Sequence, residues 1–223
     1  MGVELQPGDL AMRCNLICIE DEKIKNHSAG HISNEEAHVL MKALQEELGS
    51  DSVTFYPGVS YRHLLVISGG TKDVACTPPH DVPGTPYQEV LVKATGGNTA
   101  MADQLNDLIL KSQKILKNHP VNLKRKAEGK DPANSIWPWS PGHKPEMKTL
   151  QELYGVSGAM ISAVDLLYGI GAYAGMKAIK VEGSTGLYDT NYEGKAKAAV
   201  DALKEVDLVY LHIEASDEAG HEG

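Results

Sequence analysis

The sequence predicts an α/β protein with two domains, an α+β domain followed by a domain built on a parallel sheet. Strand-like and helix-like segments come in mixed order in the first half of the chain, whereas helices and strands alternate after residue 136. Between the halves, residues 124–134 are charged and have no apolar face, as in a surface connection. We therefore place the two domains at residues 1–125 and 126–223.

The first domain begins with short strands and one amphipathic helix. Residues 12–19 form an apolar run typical of a strand, and Asn34 opens a helix that ends near Gly49. Apolar residues recur in that helix at helical spacing, namely Ala37, Leu40, Met41, Leu44 and Leu48. Residues 53–56 and 62–67 indicate two further strands joined by a Pro-Gly turn.

A proline-rich loop and a long helix complete this domain. Residues 76–86 contain four prolines and show no periodicity, so we expect an ordered loop with a stiff backbone. His80 in this loop is either part of a rigid turn or part of the wall of a substrate site. Residues 98–118 then form a long amphipathic helix.

The second domain shows the alternation typical of parallel βαβ units. We predict a helix over residues 161–174, a strand over 178–181, a helix over 193–205 and a strand over 208–213. Ligands of open α/β sheets bind beyond the carboxyl ends of the strands. The residues that follow Ile213 are therefore candidates for chemistry.

Composition excludes several classes of protein. The formal net charge is −9, and no long run of Lys or Arg suggests a nucleic-acid partner. No stretch approaches the roughly 18 apolar residues needed to cross a bilayer, so we expect no membrane partner. The three cysteines cannot all pair within the chain and form no CxxC motif, which indicates reduced thiols in a cytoplasmic protein.

Asp217 and His221 stand four residues apart beyond the last predicted strand. A carboxylate and an imidazole one helical turn apart can bind one cation. An acidic helix cap beside a solvated histidine explains the same spacing. The spacing alone leaves both interpretations open.

Arg62 and His63 stand at the start of a predicted strand. The planar guanidinium matches phosphate or carboxylate, and the imidazole can add a second donor. An arginine on an edge strand beside a structural histidine is the alternative.

Residues 181–195 place glycines and hydroxyl groups between a strand and a helix. Such a loop can offer backbone N–H groups to an anion, with Lys195 adding charge. The segment matches neither the dinucleotide-binding nor the P-loop glycine pattern, so no nucleotide site is predicted. A plain capping loop remains the alternative.

Seven segments carry a family resemblance when they are taken together. In order they read RCNLICIED, SAGHIS, YRHLLV, TPPHD, GVSGAMISAVDLLYGIGAYAGM, DTNYEGKAKAA and HIEASDEAGHEG. They resemble the archaeal-type 2,3-bisphosphoglycerate-independent phosphoglycerate mutases of the alkaline phosphatase superfamily. The resemblance implies a partial alkaline-phosphatase-like parallel-sheet domain in residues 126–223 and, in residues 1–125, an inserted α+β domain that holds the phosphoglycerate.

The resemblance also implies the chemistry. In this family 3-phosphoglycerate is converted into 2-phosphoglycerate through a metal-activated phosphoserine, with two divalent cations (Mn, Mg, Co or Zn) and without bisphosphoglycerate. Asp217 and His221 would bind one of the cations, and Lys195 would approach the transferring phosphoryl group. The residues that would bind the substrate are Arg13, Arg62, His63 and His80.

The family's nucleophilic serine has no counterpart in this sequence. Ser157, Ser162 and Ser184 do not stand in the context of that serine. We therefore expect the chain to be an internal piece of a longer enzyme, inactive as a mutase by itself. Unpaired sheet edges would also favour a homo-oligomer. The alternatives are another phosphatase or phosphomutase of the superfamily and a non-catalytic anion-binding module.

Overall fold

The computed structural model describes residues 3–216, which fall into two compact units. The first unit comprises Val3–Lys144, and the second runs from Pro145 to the end of the described residues. Within residues 3–216, no helix is both long enough and apolar enough to cross a membrane.

The first unit is an α+β unit in which strands and helices come in mixed order. Its strands are β1 (Leu10–Glu20), β2 (Lys23–Asn26), β3 (Val53–Val59), β4 (Arg62–Ile67), β5 (Val74–Ala75), β6 (Lys93–Ala94) and β7 (Ser135–His143). Its helices are α1 (Asn34–Leu48), α2 (Ala100–Lys117) and α3 (Pro120–Ala127), with short 3-10 helices at Pro79–Asp81 and Tyr87–Val90.

Strand β1 lies at the centre of a five-stranded antiparallel sheet. It pairs with β2, β4 and β7, and β4 pairs in turn with β3. Strands β5 and β6 form a separate two-stranded ribbon. The central strand thus carries residues that face partners from distant parts of the chain.

Helices α1 and α2 pack against this sheet and bury its apolar core. Helix α1 begins at Asn34 because the Ser33 side chain accepts a hydrogen bond from the Glu36 N–H. The apolar residues at helical spacing in α1 are all buried except the partly buried Leu48. The predicted helices and strands of this half are therefore present, and the core follows from their patterning.

The first unit extends further than the predicted boundary at residue 125. Helix α3 and strand β7 belong to it, and the division falls between Lys144 and Pro145. The reason is the pairing of β7 with β1, which ties residues 135–143 to the start of the chain. Pro138 and Pro141 are tolerated in β7 because its other edge is unpaired among the described residues.

The second unit contains a parallel sheet of three strands in the order β10-β8-β9. Its elements are α4 (Leu150–Tyr154), β8 (Gly158–Ile161), α5 (Asp165–Tyr173), β9 (Lys177–Ile179), α6 (Tyr192–Ala202) and β10 (Leu208–Leu211). The predicted parallel α/β pattern is confirmed. Ser162 and His212 directly follow β8 and β10, so they lie at the carboxyl ends of neighbouring strands.

Candidate anion-binding site

Two arginines from neighbouring strands lie side by side on one face of the antiparallel sheet. Arg13 on β1 is opposite Leu64 on β4, and Asn15 is opposite Arg62. Arg13 and Arg62 are thus diagonal neighbours, a relation that brings long side chains within reach of each other. Burial, and next the positive charge of Arg62, lower the pKa of Arg13, although a guanidinium keeps its charge at neutral pH.

Each guanidinium lies over an aromatic ring, and neither has a carboxylate partner in the described part of the chain. The Cζ atom of Arg13 is 4.1 Å from the ring centroid of Trp139, and that of Arg62 is 5.4 Å from the ring centroid of Tyr61. Both distances are within the range of cation–π attraction. Among residues 3–216, no acidic side chain forms an ion pair with Arg13 or Arg62. Two adjacent positive charges are thus not compensated by any carboxylate of the described residues.

Three histidines surround the same aromatic rings. The ring centroids of His27 and His31 are 5.4 Å and 6.1 Å from that of Tyr61. The centroid of His80 is 5.2 Å from that of Trp139 and 5.9 Å from that of His27. Burial first, and then His80 and His31, lower the pKa of His27, so this ring is neutral near pH 7. The group offers imidazole donors beside two fixed charges.

The structure brings together three of the four substrate-binding residues that the sequence predicts. Arg13, Arg62 and His80 come from β1, β4 and the proline-rich loop, and they meet around Trp139 and Tyr61. Sequence reasoning missed both aromatic residues as well as His27 and His31. The detectable signals were the His-x-x-x-His spacing of His27 and His31 and the aromatic residue directly before Arg62.

His63 lies apart from this group. Consecutive residues of a strand point to opposite faces, so the exposed Arg62 is followed by a His63 side chain that is only 4% exposed. Its Nδ1 atom accepts a hydrogen bond of 3.0 Å from the Gly58 N–H. Burial, and to a smaller extent His38, lower the pKa of His63 to about 3. The structural alternative for His63 therefore agrees with the geometry better than a role in substrate binding.

Lys195 lies in the second unit, in the first turns of α6. Its side chain is fully buried, and its Nζ atom donates a hydrogen bond of 3.4 Å to the Thr185 carbonyl. Asn191 begins the helix by accepting a hydrogen bond from the Gly194 N–H. Burial lowers the pKa of Lys195. The predicted loop before a helix is present, and the lysine reaches back into that loop.

A polar group lies at the carboxyl ends of β8 and β10; its members Ser162 and His212 were not predicted, whereas Glu214 follows Ile213 and was among the candidates. The Ser162 Oγ atom is 3.4 Å from His212 Nδ1, and His212 Nε2 is 3.2 Å from Glu214 Oε2. Ser162 is buried and also accepts a hydrogen bond from the Val164 N–H. The signal available in the sequence was position alone, since ligands of parallel sheets gather at this edge.

The predicted metal ligands Asp217 and His221 lie outside the described residues. Within residues 3–216, no group of three or more His, Cys, Asp or Glu side chains is arranged to hold a metal ion. The described residues therefore do not by themselves fit a metal centre, and the metal assignment stays a prediction.

The fold and this arrangement of arginines define an α/β protein with a candidate anion site. The chain belongs to the family of 2,3-bisphosphoglycerate-independent phosphoglycerate mutases, whose sequence model matches residues 1–122. The protein of that name from Methanosarcina acetivorans is 56% identical over 224 residues, which cover all of this chain and 55% of the relative. The protein from Methanopyrus kandleri is 36% identical and is covered to 54%. The chain thus spans about half the length of the curated relatives it matches.

Two solved structures share the fold. The cofactor-independent phosphoglycerate mutase from Thermoplasma acidophilum is similar with a TM-score of 0.64 and 27% identity, over 93% of this chain and 55% of that one. A protein from Pyrococcus horikoshii gives a TM-score of 0.74 at the same 27% identity, over 99% of this chain and 50% of that one.

Proposed function

We propose that the chain is part of an enzyme that converts 3-phosphoglycerate into 2-phosphoglycerate without bisphosphoglycerate, and that Val3–Lys144 binds the phosphoglycerate. One observation carries the proposal. Arg13 and Arg62 lie side by side, each over an aromatic ring and neither paired with a carboxylate of the described residues. Like charges repel each other, so such a pair is stabilised by binding an anion between them.

The chemistry of phosphoglycerate matches this pair. The molecule carries a phosphate and a carboxylate, and each of these groups can accept two parallel N–H bonds from a guanidinium. His80 and the neutral His27 stand beside the arginines and can add N–H donors. Family membership supports the same substrate.

The second unit would contribute to the chemistry. We propose that Asp217 and His221 bind one divalent cation, of Mn, Mg, Co or Zn, and that Lys195 approaches the transferring phosphoryl group. The four-residue spacing supports the metal pair. The buried position of Lys195 in the first turns of α6 supports a lysine that can meet an anion away from water. Divalent cations in such enzymes lower the pKa of the nucleophile and stabilise charge on the transferring group.

A calorimetric titration with 3-phosphoglycerate tests the binding part of the proposal. We expect the 223-residue chain to bind this ligand. We also expect Arg13→Met and Arg62→Met each to raise the Kd at least about tenfold, as for the loss of a charged hydrogen-bond pair. Lys42→Met on α1 is the matched control, because Lys42 is exposed and, among the described residues, pairs only with Glu46 one helical turn away. Equal affinity of all variants would contradict the proposal.

A coupled assay tests the reaction itself. We expect conversion of 3-phosphoglycerate, with added manganese and no bisphosphoglycerate, by a longer protein of this family that contains the present chain. The chain alone should be inactive, because no serine in it matches the nucleophile. Release of inorganic phosphate by the longer protein would instead favour a phosphatase, and an inactive longer protein would rule out the mutase assignment.

We expect such a protein to be cytoplasmic.

A further inference from the structure

We propose that Trp139 and Asn15 are positioning residues that hold Arg13 ready for an anion. The inference rests on the proposed binding of phosphoglycerate by Arg13 and Arg62, and it adds the part of the site that prepares one of these arginines. Neither Trp139 nor Asn15 needs to touch the ligand for this role.

Trp139 provides the surface on which Arg13 lies. The two residues face each other in the pairing of β1 with β7, and the Arg13 Cζ atom is 4.1 Å from the Trp139 ring centroid. Directly after this pair the register shifts at Ser140, which has a positive φ of 55°. Shifts of this kind redirect side chains and are frequent beside functional sites. The indole is only 9% exposed, so its orientation is fixed by packing.

Asn15 fixes that indole from the other side. Its Oδ1 atom accepts a hydrogen bond of 3.0 Å from Trp139 Nε1, and its Nδ2 atom donates one of 3.0 Å to the His27 carbonyl. Asn15 is only 2% exposed. One buried amide therefore connects the ring beneath Arg13 with the segment that carries His27. A buried side chain with both a donor and an acceptor in use tolerates few replacements.

Stacking on an aromatic ring differs from an ion pair because it leaves the N–H donors of the guanidinium free. A carboxylate partner would occupy the N–H donors at the edge of the guanidinium, whereas an aromatic ring contacts only its flat face. Arg13 is thus restrained while its donors stay available. Restraint before binding reduces the conformational freedom that the side chain loses on binding an anion. The same restraint holds Arg13 near Arg62 despite their repulsion.

Affinity measurements on Trp139 variants test the inference with 3-phosphoglycerate as the probe. We expect Trp139→Leu to raise the Kd about fivefold, as for the loss of one cation–π contact. Trp139→Phe keeps an aromatic face but loses the Nε1–H donor to Asn15, so it should raise the Kd by less than Trp139→Leu does. The effect of Trp139→Leu should disappear in an Arg13→Met background and persist in an Arg62→Met background, because it acts through Arg13 alone.

Fluorescence gives a second readout, which reports whether the ligand binds beside Trp139. The chain contains two tryptophans, Trp137 and Trp139. Ligand binding beside Arg13 should change the emission of the wild type, and Trp139→Phe should abolish this change while still binding. Asn15→Leu should weaken binding in the wild type and not in the Arg13→Met background. If that variant does not fold, Asn15→Ser is tested in the same way.

The outcomes separate this inference from the function on which it rests. A wild-type chain that does not bind 3-phosphoglycerate, or binds it independently of Arg13 and Arg62, overturns both. If Arg13→Met weakens binding but Trp139→Leu does not, or if Trp139→Leu weakens binding equally in the Arg13→Met background, only the positioning role is overturned.

Discussion

At the scale of single residues, His63 shows how one buried ring makes stability depend on pH. Its Nδ1 atom accepts the Gly58 N–H, so the neutral ring carries its proton on Nε2. That nitrogen has no hydrogen-bond partner among the described residues. A proton added to this ring would place an unpaired charge in the core, which is why burial lowers the pKa to about 3.

The sign of the pH dependence follows from the pKa of His63 in the unfolded and in the folded chain. An unfolded histidine binds a proton near pH 6.5, whereas folded His63 does not until about pH 3. Stability from this residue is therefore present above about pH 6.5 and is lost as the pH falls toward 3. Between about pH 7.5 and about pH 5, we expect a loss of roughly 2 kcal/mol in the free energy of unfolding from this group.

Urea unfolding of His63→Asn tests this expectation. The Asn side chain can accept the Gly58 N–H but does not titrate, so the acid-dependent loss should shrink by roughly 2 kcal/mol. Tryptophan fluorescence reports on the correct unit, because both tryptophans lie within Val3–Lys144. His143→Asn, which changes an exposed ring, is the control. An unchanged acid-dependent loss in His63→Asn would show that other groups cause it.

At the scale of elements, α3 holds the segment between β2 and α1 in place through one arginine. Arg125 donates from Nη2 to the Ala29 carbonyl at 2.7 Å and from Nε to the Asp131 carbonyl at 2.9 Å, and its Nη1 pairs with Glu36. The segment needs such support because Ala29 and His31 both have positive φ, which is costly for residues other than glycine. This segment also carries histidines of the candidate anion site.

Replacing Arg125 should therefore destabilise the first unit strongly. We expect Arg125→Met to lower the free energy of unfolding by about 3 kcal/mol, because its side chain is only 3% exposed and all its partners lose their donor. Lys124→Met is the matched control, since that neighbour is 73% exposed and should change stability by less than about 0.5 kcal/mol. Urea unfolding measures both. Similar values for the two variants would refute the supporting role of Arg125.

A helix or strand could be predicted from the sequence when the interactions that form it lie close together in the chain. Helix α1 was predictable because its cap and its apolar spacing lie close together in the chain. Strand β7 was missed because its partner β1 lies more than a hundred residues earlier and two prolines interrupt its pattern. Strand β8 was missed because four buried residues show no alternation. The division between the two compact units falls after Lys144 because of the same long-range pairing.

The candidate site was predictable in part. Arg13, Arg62 and His80 could be proposed because guanidinium and imidazole groups stood in segments that resemble a known family. Trp139 was not found because its contact with Arg13 arises from strand pairing across the sheet. Asp217 and His221 stay predictions, since they lie outside the described residues.

At the scale of the whole molecule, the two units differ in how much apolar surface they bury. The large core cluster lies entirely within Val3–Lys144. In the described part of the second unit the buried apolar residues are few, namely Ala159, Met160, Ile161, Ala202 and Ala215. Several large side chains there are exposed, among them Leu166, Val200, Leu208 and Tyr210. Buried apolar area is the main source of stability, so the second unit should be the less stable one.

A chain cut after Lys144 should consequently fold and bind by itself. Arg13, Arg62, His80, Trp139 and Asn15 all lie within residues 3–144. We expect this shorter chain to bind 3-phosphoglycerate with a Kd within about twofold of the full chain and to show the same fluorescence-detected urea midpoint. Circular dichroism of the full chain should reveal an additional transition at lower urea. Arg62→Met in the shorter chain is the control for site-specific binding. If the shorter chain folds but binds much more weakly, residues beyond Lys144 contribute to the site; if it does not fold, the first unit depends on the second for its stability.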